Sequence, residues 1–372
     1  MKILHIITNL NLGGAEVQLY KIVENLKTDH QIKVISLLSM GDIGDKLINS
    51  GVELSIINFS KKRFFFFSFL KLCTTISKFK PDIVHTWMYH ANLIGGLAAK
   101  MTKVKNIFWS IHHNDLSTFH NKLSTLIIAK FGAFFSYLVP KKVVCVSKDV
   151  RTKHISFGYQ KKKMIFIPNG IDVLEFSKIV NAKHLLFEKY NFTNDTKLIG
   201  FPSRFDPIKN HEGFFASIAD IRNTNPKINL QIILCGKNID LNNDELITMI
   251  NNYGLIDCVH LLGIIHNMPL FMSSIDLLVN NSYGESFSLV LAEALSCETL
   301  CVSTIEGDPE SIIQGIGMHV PAGNAPLLSK AIINMIKSDS LEENKTKGRE
   351  KIISSYSMEI VMKKYKLLYS YN

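Results

Sequence analysis

Met164-Ile165-Phe166-Ile167-Pro168-Asn169-Gly170-Ile171-Asp172 closes one pattern in this chain and separates it from a second. An apolar run stops at a proline and an Asn-Gly turn, which marks the last strand of a sheet. Upstream, short apolar runs alternate with helical patterns. The runs predict strands over Ile3–Ile7, Ile32–Leu38, Val52–Ile57, Ile83–Thr86, Asn106–Ile111, Val143–Val146 and Met164–Ile167. Between the first two, Val17, Tyr20, Val23 and Leu26 recur at helical spacing. Strands alternating with helices imply a parallel sheet, because parallel neighbours need a crossover.

Downstream, the polar, helical stretch Val173–Asp195 has no sheet pattern, and then alternation restarts. It predicts strands over Leu198–Pro202, Leu230–Cys235, Val259–Leu262, Leu277–Asn280 and Leu300–Ser303. Helices are expected over His211–Arg222, Asp244–Tyr253, near Met268 and over Phe287–Leu295. From Leu341 to the end the chain reads as helix. The fold class is therefore α/β with two parallel sheets. The divisions are 1–172, 173–350 and a helix over 351–372 that returns to the first domain. Two such sheets bind ligands beyond the carboxyl ends of their strands.

The 372 residues are 47% hydrophobic and 20% charged, as in a folded globular protein of two domains. Six cysteines without a C-x-x-C pair predict reduced, mostly buried thiols of a cytoplasmic protein. The N-terminus reads as a strand, not as a secretory signal. Leu123–Pro140 comes nearest to a membrane span, but Lys130, Gly132 and several hydroxyls interrupt it, so a buried or interfacial helix is expected. The net charge of +10 is uneven. Residues 1–175 carry 24 Lys+Arg against 11 Asp+Glu, and the remainder 18 against 21. Lys61-Lys62-Arg63 precedes Phe64-Phe65-Phe66-Phe67, and Lys71, Lys78 and Lys80 follow. Basic residues beside aromatic ones point to an anionic membrane surface, or else to a crossover helix with a solvated basic face. No nucleic-acid-binding signature accompanies the charge.

Four segments carry candidate chemistry. Asn11-Leu12-Gly13-Gly14-Ala15-Glu16 follows the first strand and opens a helix. Its glycines permit close backbone approach to a ligand, or simply make a tight turn. Ser110-Ile111-His112-His113 ends the fifth strand, where an imidazole can exchange protons with a ligand or serve as a hydrogen-bonded structural group. No third ligand at metal spacing accompanies the pair. Pro202-Ser203-Arg204-Phe205-Asp206-Pro207-Ile208-Lys209-Asn210-His211 presents a guanidinium and an ammonium between a strand and a helix, as diphosphate binding requires. Ser282-Tyr283-Gly284-Glu285-Ser286-Phe287-Ser288-Leu289-Val290-Leu291-Ala292-Glu293 predicts a helix starting near Ser286. Glu285 then stands at its mouth, the amides of Ser286 and Phe287 face a ligand, and Glu293 lies about two turns along. A carboxylate in so apolar a helix needs a partner, either ribose hydroxyls or a group of the protein.

In this order, with Pro81-Asp82-Ile83-Val84-His85-Thr86, Val146-Ser147 and Ile167-Pro168-Asn169-Gly170-Ile171-Asp172, the motifs resemble bacterial glycosyltransferases of family 4 over essentially the whole chain. Unusual within that resemblance are His113 beside His112, and Glu298 where relatives usually carry glycine. The resemblance implies the GT-B fold, two Rossmann-like domains facing across a cleft. It also implies a retaining hexosyltransferase without bound metal or other cofactor. Arg204 and Lys209 would neutralise the donor diphosphate, Glu285 would contact the donor sugar and Glu293 the ribose. His112 would reach sugar hydroxyls, and Gly14 would allow close approach of the first loop. Polysaccharide and O-antigen enzymes are the nearest in character. They imply a UDP-sugar donor (a UDP-N-acetylhexosamine or UDP-hexose) and an undecaprenyl-diphosphate-linked acceptor at the inner face of the plasma membrane. An isomerase of the UDP-N-acetylglucosamine 2-epimerase type and an inert partner subunit are the alternatives.

Overall fold

The first strand, β1 (Lys2–Ile7), is buried at every position but Lys2. A run of that kind suits a strand covered on both faces, which parallel sheets flanked by helices provide. The computed structural model describes residues 1–59, 65–114, 116, 123–338 and 341–370. The expected basic and aromatic residues Lys61, Lys62, Arg63 and Phe64 lie outside the described residues. β1 pairs in parallel with β2 (Gln31–Ser36), which pairs with β3 (Glu53–Ile56). On its other side β1 pairs with β4 (Ile83–Trp87), followed by β5 (Asn106–Ile111), β6 (Lys142–Cys145) and β7 (Met164–Phe166). The order β3-β2-β1-β4-β5-β6-β7 reverses direction between β1 and β4. The loops after those two strands therefore flank a topological switch point.

A second parallel sheet has the order β10-β9-β8-β11-β12-β13. Its strands are β8 (Lys197–Pro202), β9 (Leu230–Cys235), β10 (Val259–Leu261), β11 (Leu277–Asn280), β12 (Leu300–Thr304) and β13 (Met318–Val320). Here the reversal falls between β8 and β11. The three-residue edge strand β13 was not expected, since so short a run carries no periodicity. Helices Pro309–Ile313 and Ala325–Ile336 were likewise not read from the pattern.

By internal contacts the chain forms two compact units, residues 1–170 with 361–372, and residues 171–360. The quoted turn sits at their division. In the first unit Gln18 donates to the Gly170 carbonyl at 2.8 Å and accepts from the Gly170 amide at 2.9 Å, which satisfies both groups of the turn. In the second unit Ile171 donates to the Tyr356 carbonyl at 2.8 Å and accepts from the Met358 amide at 2.7 Å. That insertion breaks the expected single C-terminal helix into Leu341–Tyr356 and Met358–Tyr369. Residues 351–360 accordingly belong with the second unit, and only Val361 onward joins the first.

Glu298 explains its own oddity. Its φ is +61°, in the left-handed region where a side chain is strained and glycine is not. An ion pair with Lys178 at 3.0 Å offsets part of that strain, but both partners are partly exposed, so the pair contributes little. Glu298→Gly is expected to stabilise the second unit by about 0.5–1 kcal/mol, read as a higher denaturant midpoint at unchanged slope.

Candidate functional site

The second sheet brings two loops together because β8 and β11 are neighbours, Leu277 opposite Ile199 and Leu278 opposite Gly200. After β8, Asp206 caps a short 3-10 turn over Pro207–Lys209, its Oδ1 accepting from the Ile208 amide at 3.1 Å. Asn210, at φ +53°, then caps helix His211–Thr224 by accepting from the Gly213 amide at 3.1 Å. Two caps in succession leave Lys209 little freedom. The second loop is tied to the first by the Tyr283 amide donating to the Ile208 carbonyl at 2.8 Å. Asn281 Nδ2 adds a bond to the Asn210 carbonyl at 3.0 Å.

Across these loops Lys209 Nζ meets Glu285 Oε1 at 2.6 Å, with both side chains largely buried. The Ser282 hydroxyl lies 2.9 Å from the same oxygen. The Glu285 backbone bridges to the strand-like segment beyond β12, its amide donating to the Glu306 carbonyl at 3.2 Å. Arg204 is more open, its Nε held 2.9 Å from Asp206 Oδ2. Burial alone would raise the Asp206 carboxyl, but the Ile208 amide and then the Arg204 guanidinium hold it below its ordinary range. His211, 3.1 Å from the Ser203 hydroxyl, is buried against Phe201 and Phe205. Burial first, then Lys209, push its pKa down to about 4, so it is neutral near pH 7.

The expected helix after Glu285 begins later. It runs over Leu289–Ser296, with Ser288 before it. Ser286 and Phe287 are therefore loop residues whose amides do not belong to a helix N-terminus. Phe287 is buried, its ring 5.6 Å from Tyr356, and so serves packing. Glu293 is half-buried, one turn in and not two. Just before the helix, Ser288 is extended, and its hydroxyl accepts from Asn280 Nδ2 at 3.1 Å.

In the first unit Gly14 opens helix Gly14–Leu26, with Gly13 as an N-cap that offers no side chain. The buried Glu16 carboxyl folds back over it, so a Cβ on Gly13 would lie 2.5 Å from Glu16 Oε2. Burial raises the Glu16 pKa, and its own backbone amide counters part of the rise. His112 stacks on Trp87 at 5.2 Å, and Trp87 stacks in turn on His85 at 5.0 Å. The Trp87 indole donates to His5 Nδ1 at 3.1 Å, and His85 bonds Tyr369 at 2.7 Å and Ser110 at 2.8 Å. Burial pushes His112 and His5 down to about 3, and His85 well below the ordinary histidine value. Among the described residues, His112 Nε2 is shielded from solvent and has no hydrogen-bond partner. His113 is exposed.

Sequence reading gave no role to Ser282 and His211 within the quoted segments, and missed Asn280, Asn281 and the Glu306-Gly307 segment as parts of the second unit's loop cluster. The available signal was Asn280-Asn281-Ser282, three polar residues ending an apolar strand and all buried.

Residues 12–174 match the family described as Glycosyltransferase Family 4, and residues 183–352 that described as Glycosyl transferases group 1. Two Rossmann-like parallel sheets with these matches define a glycosyltransferase of the GT-B fold. The chain belongs to glycosyltransferase family 4. It is 23% identical over 305 residues to UDP-Gal:alpha-D-GlcNAc-diphosphoundecaprenol alpha-1,3-galactosyltransferase of Escherichia coli, covering 81% of this chain and 78% of that one. It is also 23% identical over 379 residues to N,N'-diacetylbacillosaminyl-diphospho-undecaprenol alpha-1,3-N-acetylgalactosaminyltransferase of Campylobacter jejuni, covering 97% of each. Among solved structures, Anabaena HepE in complex with UDP superposes with a TM-score of 0.87 at 18% identity, covering 99% of each chain.

The buried histidines make the first unit acid-sensitive. His5 is fully buried with its pKa near 3, so from pH 6.5 downward the unfolded chain takes up a proton that the folded chain refuses. Stability is complete above pH 6.5 and falls by about 1.4 kcal/mol per pH unit for this one group as pH drops towards 3. Calorimetric melts between pH 7 and pH 4 are expected to show that decline, with a shallower slope in His5→Gln, which keeps an acceptor for Trp87. An unchanged melting temperature over the range would contradict the buried neutral state.

Proposed function

We propose that this glycosyltransferase transfers a hexose or N-acetylhexosamine, with retention, from a UDP-sugar to a sugar carried on a lipid diphosphate. The observation that carries the donor side is the meeting of Lys209 and Glu285 at the switch point of the second sheet. Ligands of open α/β sheets bind in that place. An ammonium has three N–H donors, and Glu285 uses one, so Lys209 can also take a diphosphate oxygen. Arg204, on the same loop and more open, adds a forked donor for the diphosphate. Together the two cations would stabilise negative charge as UDP departs.

In this reading Glu285 contacts the donor sugar, and its bond to Lys209 fixes its position. Glu293 receives the ribose. The backbone of Ser286 and Phe287, not their side chains, lines the donor. His112 is the first unit's candidate for sugar hydroxyls: it is neutral, held by stacking on Trp87, and keeps an unpaired ring nitrogen. Gly14 supplies close backbone approach. The acceptor class rests on the two relatives whose names carry undecaprenyl diphosphate. With it goes a place in O-antigen or other surface-polysaccharide assembly, at the cytoplasmic face of the plasma membrane.

Purified protein is expected to release UDP from a UDP-sugar panel only when a lipid-diphosphate-linked sugar is present. Release without acceptor, or a new epimer of the donor, would contradict transfer. Glu285→Ala is expected to abolish turnover in a chain that still folds, with a lower melting temperature because Lys209 is left sheltered without this partner. Lys209→Ala is expected to lower kcat by about 10²–10³-fold, the usual loss when one charge-stabilising donor is removed. Near-normal turnover in either variant would remove that residue from the donor site.

A further inference from the structure

In the first unit, helices Phe65–Phe79, Met88–Met101 and Leu123–Ser136 lie side by side, each touching the next. The third is apolar on two faces. Leu126, Ala129, Ala133 and Ser136 point into the core, while Leu123, Ile127, Phe131 and Phe134 form a second stripe open to solvent. Phe131 is 54% exposed and Phe134 63%, and Tyr137 and Leu138 continue the stripe past the helix end. The first helix opens on Phe65, Phe66, Phe67 and Leu70, all exposed, and Met101 is exposed at the end of the middle one. A soluble surface scatters such residues singly, whereas a contiguous stripe marks an interface. Among the described residues no helix is long and apolar enough to cross a membrane.

Charge decides what covers this face. Residues 65–163 carry 16 Lys+Arg against 3 Asp+Glu. Lys130 is the one charged residue of helix Leu123–Ser136. Lys163 donates to the Tyr137 carbonyl at 2.7 Å, which brings the basic turn Lys161–Lys163 to the foot of the stripe. Lys100 lies close enough to act on Lys163, whose pKa is lowered by burial first and by that neighbour second. Two copies of this face would set like charges against each other, while an anionic surface would be attracted to both.

We propose that this face seats the protein on an anionic lipid bilayer. The Leu123–Phe134 stripe, with the phenylalanines of the first helix, enters the boundary between headgroups and acyl chains, and the lysines around it meet lipid phosphates. The inference rests on the lipid-linked acceptor reading above and refines it. The membrane-facing surface then includes helix Leu123–Ser136 beside the aromatic residues Phe65–Phe67 of the run that the sequence pointed to.

Flotation of the full chain with phosphatidylcholine vesicles, with and without phosphatidylglycerol, tests this. Binding is expected only to the anionic vesicles and is expected to weaken in about 0.5 M NaCl. In the double variant F131S/F134S, partition is expected to fall at least about tenfold. Both positions are exposed, so its circular dichroism and melting temperature should match those of the parent. Absence of binding by the parent, equal binding by the double variant, or a parent dimer that the double variant converts to monomer would overturn the proposal. Flotation needs no substrate, so its result stands or falls separately from the UDP-release assay.

Discussion

The second unit is organised around a contact that only a reversal in strand order permits. Lys209 follows β8 and Glu285 follows β11, yet the two strands are hydrogen-bonded neighbours. Their loops leave the sheet at the same edge, and the 2.6 Å ion pair joins them. A pair this sheltered is costly to break on one side, because the survivor stays buried without a partner. The surrounding hydrogen bonds, from Tyr283 to Ile208 and from Asn281 to Asn210, act in the same direction. The loops are held in shape before any ligand arrives, the condition that the proposed stabilisation of a departing diphosphate requires.

The first unit uses a different principle. His112, Trp87 and His85 form a stacked column, Trp87 donates to His5, and the column ends on Tyr369 of the last helix. The C-terminal segment is thus part of this unit's core and supplies a buried hydroxyl to His85. Burial keeps the imidazoles neutral, so they act as hydrogen-bonding groups and not as cations. The exposed stripe of helix Leu123–Ser136 belongs to the same unit. Its outer face carries Leu123, Ile127, Phe131 and Phe134 as well as Lys130, so the water side of that helix is the part of the fold least explained by folding alone.

Much of this architecture was legible in the chain. Twelve strands stand where apolar runs alternate with helical patterns, and the central ones are apolar along their length because they are buried on both faces. Arg204, Lys209 and Glu285 could be singled out because charged residues directly after such strands sit where ligands bind. Less legible were features set by partners distant in sequence. Asn280 bonds Ser288 just before the helix that starts at Leu289, and Ile171 bonds Tyr356 and Met358 at the break in the C-terminal helix. Neither is visible in local propensity.

Hydrophobic periodicity, strand-end motifs and the uneven charge by themselves determined the two α/β halves, the family resemblance and the candidate residues. These depend on near neighbours in the chain, and the family match agrees with them. Tertiary structure decided that Lys209 reaches Glu285, that Phe287 packs against Tyr356, and that Glu298 occupies a left-handed turn. It also decided which apolar helix face is left open to water. The physical reason is the same in each case. Strand order, burial and backbone sign are properties of the packed chain, and a linear pattern records only what each segment needs from its neighbours.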